Sequence, residues 1–225
     1  MNKPTRLTIT ALAATLLAAC STGDIQPAGS SGADSPDSAL AGSAPALLDA
    51  APGTGMPDTM SVTNVADLVV AAVDELRWSD LAALAHPTHG IRFAPYGHID
   101  TSDTQRLMPE EIAALGNDVM VRHWGTADGT GDPLDFTFAE YYTRFLYLHD
   151  FNGAEKGAPN EIVESGNSLV NLREAFPMEN TTFVEYYVPG TEQYGGMDWA
   201  SLRVVLLHEN DRVWVIGLVN DRWTI

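Results

Sequence analysis

A cluster of aspartates is the first group in this sequence whose type and spacing could bind an ion. Asp128, Asp132 and Asp135 surround two glycines, and carboxylate oxygens are ligands that Ca²⁺ prefers. Their spacing differs from the Asp-x-Asp-x-Asp-Gly order of an EF-hand loop. An acidic turn between two elements is therefore the favoured interpretation, and calcium binding is the open alternative.

A histidine pair is the second such group. His86 and His89 are three residues apart, a spacing often found in metal sites, but no third ligand is identifiable. Pro87 prevents the regular helix interior that would aim both rings at one point. We therefore expect a capped turn here, and no metal or other cofactor is predicted.

Arg92 is the most informative charge, because basic residues are scarce and it lies in an apolar run. A buried arginine is usually paired, so we expect a carboxylate partner. The candidate partners are Asp118, Asp150 and Glu185. The functional alternative is an anion-binding arginine at the mouth of a pocket.

Two aromatic residues complete the possible ligand-binding set of Arg92, Tyr96 and Trp199. Trp199 follows two glycines, so a loop could present its ring to a ligand. Common motifs for serine nucleophiles and zinc hydrolases are absent from the sequence. No residue is singled out as catalytic, although a carboxylate-dependent site stays open among 30 acidic residues.

Net charge and cysteine content argue against some classes of partner and site. The chain has 225 residues and a net charge of −18, which argues against nucleic acid, because phosphate binding needs a basic face. Its one cysteine, Cys20, excludes an internal disulfide framework and a cysteine zinc site.

The N-terminus has the pattern of a secretory signal. Lys3 and Arg6 precede an uncharged apolar run that ends in Leu17-Ala18-Ala19-Cys20. This tetrapeptide resembles the lipobox of bacterial lipoproteins. The resemblance implies a signal peptide over residues 1–19, cleavage before Cys20, and a lipid on the Cys20 sulfur. It also implies an extracytoplasmic protein anchored in the cell membrane or the outer membrane.

The segment after the cysteine is a predicted linker. Residues 21–60 have no aromatic residue, no lysine and no arginine, and are rich in Ala, Gly, Ser and Pro. Such a composition buries too little apolar surface to fold, so residues 20–60 are interpreted as a lipidated cysteine and a disordered tether. Every aromatic residue lies at or after Trp78, which places one globular domain at residues 61–225.

Helical patterns dominate the first part of that domain. Apolar residues recur at helical spacing from Val65 to Leu76, with Asn64 as the expected N-cap. Pro109 is expected at the first position of a further helix, Thr137 opens a capping box, and Ser168 is expected to cap a short helix. Residues 119–121 are a strand candidate.

The chain ends in predicted strands at residues 182–188, 200–207 and 213–219, the last two joined by a hairpin at Asn210 and Asp211. Helices followed by strands indicate an α+β fold, with N-terminal helices packed on a C-terminal curved antiparallel sheet. This element order is similar to the cone-shaped NTF2-like fold.

Four motifs carry a closer resemblance. They are residues 86–96 (HPTHGIRFAPY), 137–142 (TFAEYY), 195–199 (GGMDW) and 222–225 (RWTI). Together they resemble a group of uncharacterised bacterial secreted proteins and lipoproteins, for which no activity can be carried over.

These observations favour a membrane-anchored lipoprotein with a non-catalytic binding or accessory domain of the cell envelope. Its partners would be the membrane, through the lipid on Cys20, and a small molecule or an envelope protein. The alternative is a hydrolase-like or isomerase-like enzyme, in which an apolar pocket raises the pKa of a carboxylate base. A third possibility, a protein-docking domain, predicts an exposed apolar patch and no cavity.

Overall fold

The computed structural model describes residues 56–57, 60–163 and 169–224. The predicted signal peptide, Cys20 and most of the predicted linker lie outside the described residues, and so does Ser168. Within the described ranges, no helix is long and apolar enough to cross a membrane.

The described chain is α+β, with short helices and a larger share of strand. The helices are α1 (Val62–Asp74), α2 (Trp78–Leu84), α3 (Pro109–Ala114), α4 (Phe138–Tyr141) and α5 (Leu172–Ala175). The strands are β1 (Met56–Pro57), β2 (Ile91–Ala94), β3 (Gln105–Leu107), β4 (Arg122–Thr126), β5 (Pro133–Phe136), β6 (Glu155–Lys156), β7 (Thr181–Val188), β8 (Ala200–Glu209) and β9 (Arg212–Arg222).

Local sequence explains where the helices begin. Ser61, rather than Asn64, is the N-cap of α1, and its hydroxyl accepts a hydrogen bond from the Asn64 amide at 3.2 Å. Pro109 is the first residue of α3, as expected. The Thr137 capping box is also confirmed, because the Thr137 amide donates to the Glu140 carboxylate at 3.0 Å. Helix α4 then continues as a π-helical turn over Tyr142–Leu146.

The main sheet has the strand order β3-β2-β9-β8-β7-β6, and β1 pairs with β9. The three predicted C-terminal strands pair antiparallel, as β7-β8-β9. The sheet as a whole is mixed, however, because β2 runs parallel to β9. Short turns force antiparallel pairing only between consecutive strands, and β2 and β9 are far apart in the chain. The NTF2-like cone stays a prediction.

The hairpin at the end of the chain is confirmed. Strands β8 and β9 are joined through Asn210 and Asp211, which both have positive φ angles, 53° and 58°. Two consecutive residues with positive φ are typical of the type I′ turn that matches the twist of a two-residue hairpin.

Both faces of the main sheet are buried. On one face, side chains of β8 such as Leu202, Val204 and Leu206 belong to the same apolar cluster as the buried side of α1. On the other face, Val205 and Leu207 pack with Phe176 from the segment that contains α5. A sheet covered on both sides leaves few places for a ligand except its edges and the loops beyond it.

Two stretches differ from the sequence-based expectation. Residues 119–121 form no strand, and Val119, Met120 and Val121 are 85%, 57% and 63% exposed, before β4 begins at Arg122. Strand β1 lies inside the predicted linker and pairs with β9, so ordered pairing begins before residue 61.

Candidate ligand-binding groove

An open cavity of about 900 Å³ lies between two loops beside the main sheet. One wall is formed by residues 95–104, between β2 and β3, and the other by residues 125–131, at the end of β4 and in the turn that leads to β5. Leu169 and Thr224 complete the lining. We call this cavity the acidic groove, because the carboxylates of Asp100, Asp103 and Asp128 line it, whereas no lysine or arginine is among the described lining residues.

Arg92 holds the first wall in place. Its Nη1 donates to the Thr101 carbonyl at 3.0 Å, the Thr104 carbonyl at 3.1 Å and the Thr104 hydroxyl at 2.9 Å. Burial and the neighbouring Arg106 lower the pKa of Arg92. Within the described chain Arg92 binds oxygens of threonine, so the expected carboxylate pair is wrong.

The three carboxylates proposed for Arg92 have other partners. Glu185 lies 2.7 Å from Arg203, and Asp118 lies 2.8 Å from Arg122. Asp150 accepts a hydrogen bond from the Tyr147 hydroxyl at 3.0 Å. The Glu185–Arg203 pair depends on strand register, which the sequence does not show, whereas Asp118 and Asp150 bind partners only four and three residues away.

The first wall is further fixed by its own polar groups. Asp100 accepts hydrogen bonds from the Ser102 hydroxyl at 2.6 Å and the Ser102 amide at 2.8 Å, and these bonds lower its pKa. Asn171 exchanges two hydrogen bonds with the backbone of Ile99, at 2.8 and 3.0 Å. The loop is thus held at several points before any ligand binds.

His123 connects the walls. Its Nε2 lies 2.7 Å from Asp103 Oδ1, and its Nδ1 lies 2.8 Å from Asp135 Oδ1. Hydrogen bonds to Asp135 and Asp103 raise the pKa of His123. The Thr126 hydroxyl donates to Asp103 at 2.7 Å, and bonds from Thr126 and His123 lower the Asp103 pKa.

The second wall contains the glycine-rich turn for which calcium binding is the alternative to an acidic turn. Asp128 accepts from the Gly129 amide at 3.0 Å and from the Thr224 hydroxyl at 2.5 Å, whereas Asp135 binds His123. Among the described residues, no group of three or more His, Cys, Asp or Glu side chains is arranged to hold a metal ion. The carboxylates of Asp128 and Asp135 therefore bind different partners, and the residues form a turn between β4 and β5.

Tyr96 is the aromatic residue of the lining. Its ring meets Phe145 edge-on at 5.9 Å, and the Arg222 guanidinium lies 5.6 Å from its centroid. Such contacts restrain the ring without hiding it, so Tyr96 presents a half-buried aromatic surface to the groove.

The candidate ligand residues are not all brought together. Tyr96 lines the acidic groove, Arg92 supports its wall from outside the lining, and Trp199 is 5% exposed and packs near Tyr187 with ring centroids 6.2 Å apart. A role for these residues in ligand binding stays a prediction.

The histidine pair forms a capped turn. His86 Nδ1 accepts from the amides of Thr88 and His89 at 3.1 and 3.0 Å, and Nε2 lies 3.0 Å from Glu209. Because Nδ1 accepts, the ring proton belongs on Nε2, where it donates to the carboxylate.

Sequence reasoning missed a buried ionic cluster on the sheet. Arg203 lies 2.7 Å from Glu185 and 2.9 Å from Asp221, and all three side chains are at most 1% exposed. The sequence offered a signal for Arg203 alone, because Arg203, like Arg92, is an arginine within an apolar run. Its partners come from neighbouring strands and could only be assigned once the register was known.

The chemistry of the acidic groove suits a ligand that donates hydrogen bonds. Ionised carboxylates only accept, and the threonine hydroxyls can do both. The pKa values of Asp100 and Asp103 are lowered, the opposite of what a protonated general acid needs at neutral pH. Both nitrogens of His123 face carboxylates, so neither is free to act as a base.

Comparison with known proteins adds no assignment to this geometry. No family model, no curated protein and no solved structure matches this chain.

Proposed function

We propose that this chain is a membrane-anchored bacterial lipoprotein whose folded domain binds a ligand in the acidic groove without transforming it. The observation that carries the binding function is the groove itself, an open cavity of about 900 Å³ between two walls fixed by hydrogen bonds. Pre-formed walls lower the entropy lost on binding, which favours recognition of a defined ligand.

The lining indicates the class of ligand. Among the described residues, the lining includes three aspartates, four threonines, Tyr96 and His98, and it includes no lysine or arginine. Such a surface repels anions and favours amines or hydroxyl-rich molecules. A ligand that is neutral or positively charged and bears amine or hydroxyl donors therefore fits best.

Native mass spectrometry of the full chain, extracted from its own membrane in a mild detergent, tests the binding proposal. We expect an additional mass that is lost on denaturation and is reduced in Asp128→Asn, which removes a groove carboxylate. Glu110→Gln is the matched control, because Glu110 is exposed on α3 and is not among the residues that line the groove. Absence of any bound mass, together with no response to spermidine or to a neutral disaccharide, would contradict a binding groove.

The anchor is supported by the sequence around Cys20. Several buried acyl chains hold a protein at a membrane stably, where a single chain binds only marginally. The strong negative charge of the domain keeps it away from anionic head groups, so attachment would depend on the lipid.

Fatty-acid labelling in a bacterium that makes lipoproteins tests the anchor. Wild-type chain should take up the label and fractionate with membranes, and Cys20→Ser should lose both properties. Ser21→Ala is the matched control and should retain them. Because Cys20 is the only cysteine, persistent labelling of Cys20→Ser would show that the assignment is wrong.

A further inference from the structure

A histidine next to the acidic groove lies between two carboxylates, one of which, Asp103, belongs to the groove lining. His123 on β4 is directly opposite Asp135 on β5, and Asp103 approaches from the loop before β3. Both ring nitrogens are within 2.8 Å of a carboxylate oxygen.

This geometry requires a particular protonation state. A carboxylate can only accept hydrogen bonds, so each ring nitrogen of His123 must donate. A neutral imidazole has one N–H and one lone pair, whereas the imidazolium ion has two N–H groups. Only protonated His123 satisfies both contacts at the same time.

The contacts tie together the two walls of the groove. Asp103 belongs to the first wall and Thr126 to the second, and the Thr126 hydroxyl donates to the Asp103 oxygen that His123 does not use. His123 itself is 39% exposed at its side chain, so protons exchange with it directly from water.

We propose that His123, Asp103 and Asp135 form a pH-sensitive clamp that holds the walls of the acidic groove together and controls ligand access. The ligand-access part of this inference rests on the proposed function of the groove. The clamp itself is a property of the protein without ligand, and it can be tested separately.

The charges around His123 favour the clamp. Asp135 faces it from β5 and Asp103 from the first wall, with Asp100 further along the same loop. Strand β3 contributes the neutral Gln105, whose amide donates to the His123 carbonyl at 2.6 Å. The adjacent Arg122 is paired with Asp118 and Glu111, so the charged groups that contact the ring are carboxylates.

The direction of the pH effect follows from these contacts. The pKa of His123 is raised above 6.5, so the stabilisation is complete below 6.5 and is lost as pH rises through the raised pKa. The pKa of Asp103 is lowered, so its part of the clamp persists well into acid and is lost only as pH falls through that lowered pKa. The clamp is thus closed in mildly acidic solution and opens on the alkaline side.

Opening has a structural consequence at the first wall. Once His123 is neutral it has one N–H for two carboxylates, so one of the two contacts is lost. Asp103 keeps the Thr126 hydroxyl as a donor, so we expect the Asp103 contact to be the one that breaks. The Thr126 hydroxyl then remains as a link between the walls near Asp103. We expect residues 100–104 to open more often as pH rises.

Two measurements on the full chain in detergent test the clamp without any ligand. Imidazole nuclear magnetic resonance shifts between pH 5 and 9 give the titration of His123. Hydrogen–deuterium exchange, corrected for the intrinsic pH dependence, follows residues 100–104. We expect His123 to titrate above 6.5 and protection to fall by about tenfold across that titration, the effect of losing one hydrogen bond to a charged group.

Three variants distinguish a pH-sensitive clamp from a histidine that only stabilises the fold. Asp135→Asn removes the second carboxylate, so it should lower the midpoint of the His123 titration. Neutral His123 can then donate from Nε2 to Asp103 while Nδ1 accepts from the new amide, so the exchange step should also become smaller. His123→Gln should abolish the pH step. Glu192→Gln, which changes an exposed carboxylate outside the groove lining, should leave both unchanged.

The proposal is overturned if His123 titrates at or below 6.5, or if the exchange step persists in His123→Gln. If no ligand binds in the acidic groove while His123 titrates as expected, the proposed function is refuted and the clamp is not. If the ligand binds but its affinity is constant across the His123 titration, control of access by the clamp is refuted.

Discussion

Replacement of Arg203 by methionine should destabilise the domain more than any change to a surface arginine. Arg203 is fully buried between Glu185 and Asp221, at 2.7 and 2.9 Å. Glu185 also accepts a hydrogen bond from the Val163 amide. In Arg203→Met, two buried carboxylates lose this cationic partner while the apolar stem of the side chain is largely kept.

The magnitude follows from burial. Removing one partner of a buried ion pair costs about 3–5 kcal/mol, because the remaining charge stays out of water. The free energy of unfolding of a domain of this size is about 5–15 kcal/mol, so this loss is a large share of the total stability. With a urea slope of about 2 kcal/mol per molar, the unfolding midpoint should fall by about 1.5–2.5 M.

The assay is equilibrium urea unfolding followed by tryptophan fluorescence. Arg77→Met is the matched control, because Arg77 is more exposed and pairs with Glu75 and Asp80 at the surface. It should cost less than about 1 kcal/mol.

A neutralised triple variant distinguishes charge from packing. Arg203→Met combined with Glu185→Gln and Asp221→Asn removes the uncompensated charges, while the amide oxygen introduced at position 185 can still accept from the Val163 amide. It should be more stable than Arg203→Met alone. A loss below about 1 kcal/mol in Arg203→Met, or a triple variant less stable than the single one, would refute the reasoning.

Three further predictions concern local features and are read by the same unfolding assay. Thr137→Ala removes the side-chain cap of α4 and should cost about 1 kcal/mol, whereas a loss below the error of the assay would show that the cap is dispensable. Gly217→Ala would bring a methyl group to 2.5 Å from the ring of Phe176, so it should cost about 1–3 kcal/mol, and an unchanged midpoint would contradict this close packing. Asp211→Gly places glycine at a positive φ of 58° beside Asn210 and should raise stability by up to about 1 kcal/mol, whereas a clear loss would argue against the type I′ turn.

The sequence predicted the features that depend on neighbouring residues. The capping box at Thr137, the proline at the start of α3 and the hairpin at Asn210 and Asp211 were all identified correctly. The apolar spacing also predicted helix α1 correctly, although its N-cap is Ser61 rather than Asn64. These features are set by hydrogen bonds and φ angles within a few residues.

One error arose at a short apolar run whose backbone is bound by the side chain of a polar neighbour. Residues 119–121 look like a strand, yet the Asp118 carboxylate accepts from the Met120 amide at 2.8 Å and binds Arg122 at 2.8 Å. This local turn leaves Val119 and Val121 in solvent and postpones the strand to β4. Propensity alone could not anticipate that a side chain would compete for the backbone.

The sequence by itself determined the helical segments, the final hairpin, the α+β class and the acidic character of the chain. The first three follow from interactions between residues close in sequence, and the net charge follows from composition. Only the tertiary structure decided the parallel pairing of β2 with β9, the Glu185–Arg203–Asp221 cluster and the contact of His123 with Asp103 and Asp135. The members of these sets are 12 or more residues apart in the sequence, so the approach of their side chains depends on register and on loop packing. The groove exists for the same reason, because its two walls are adjacent only after the sheet has formed.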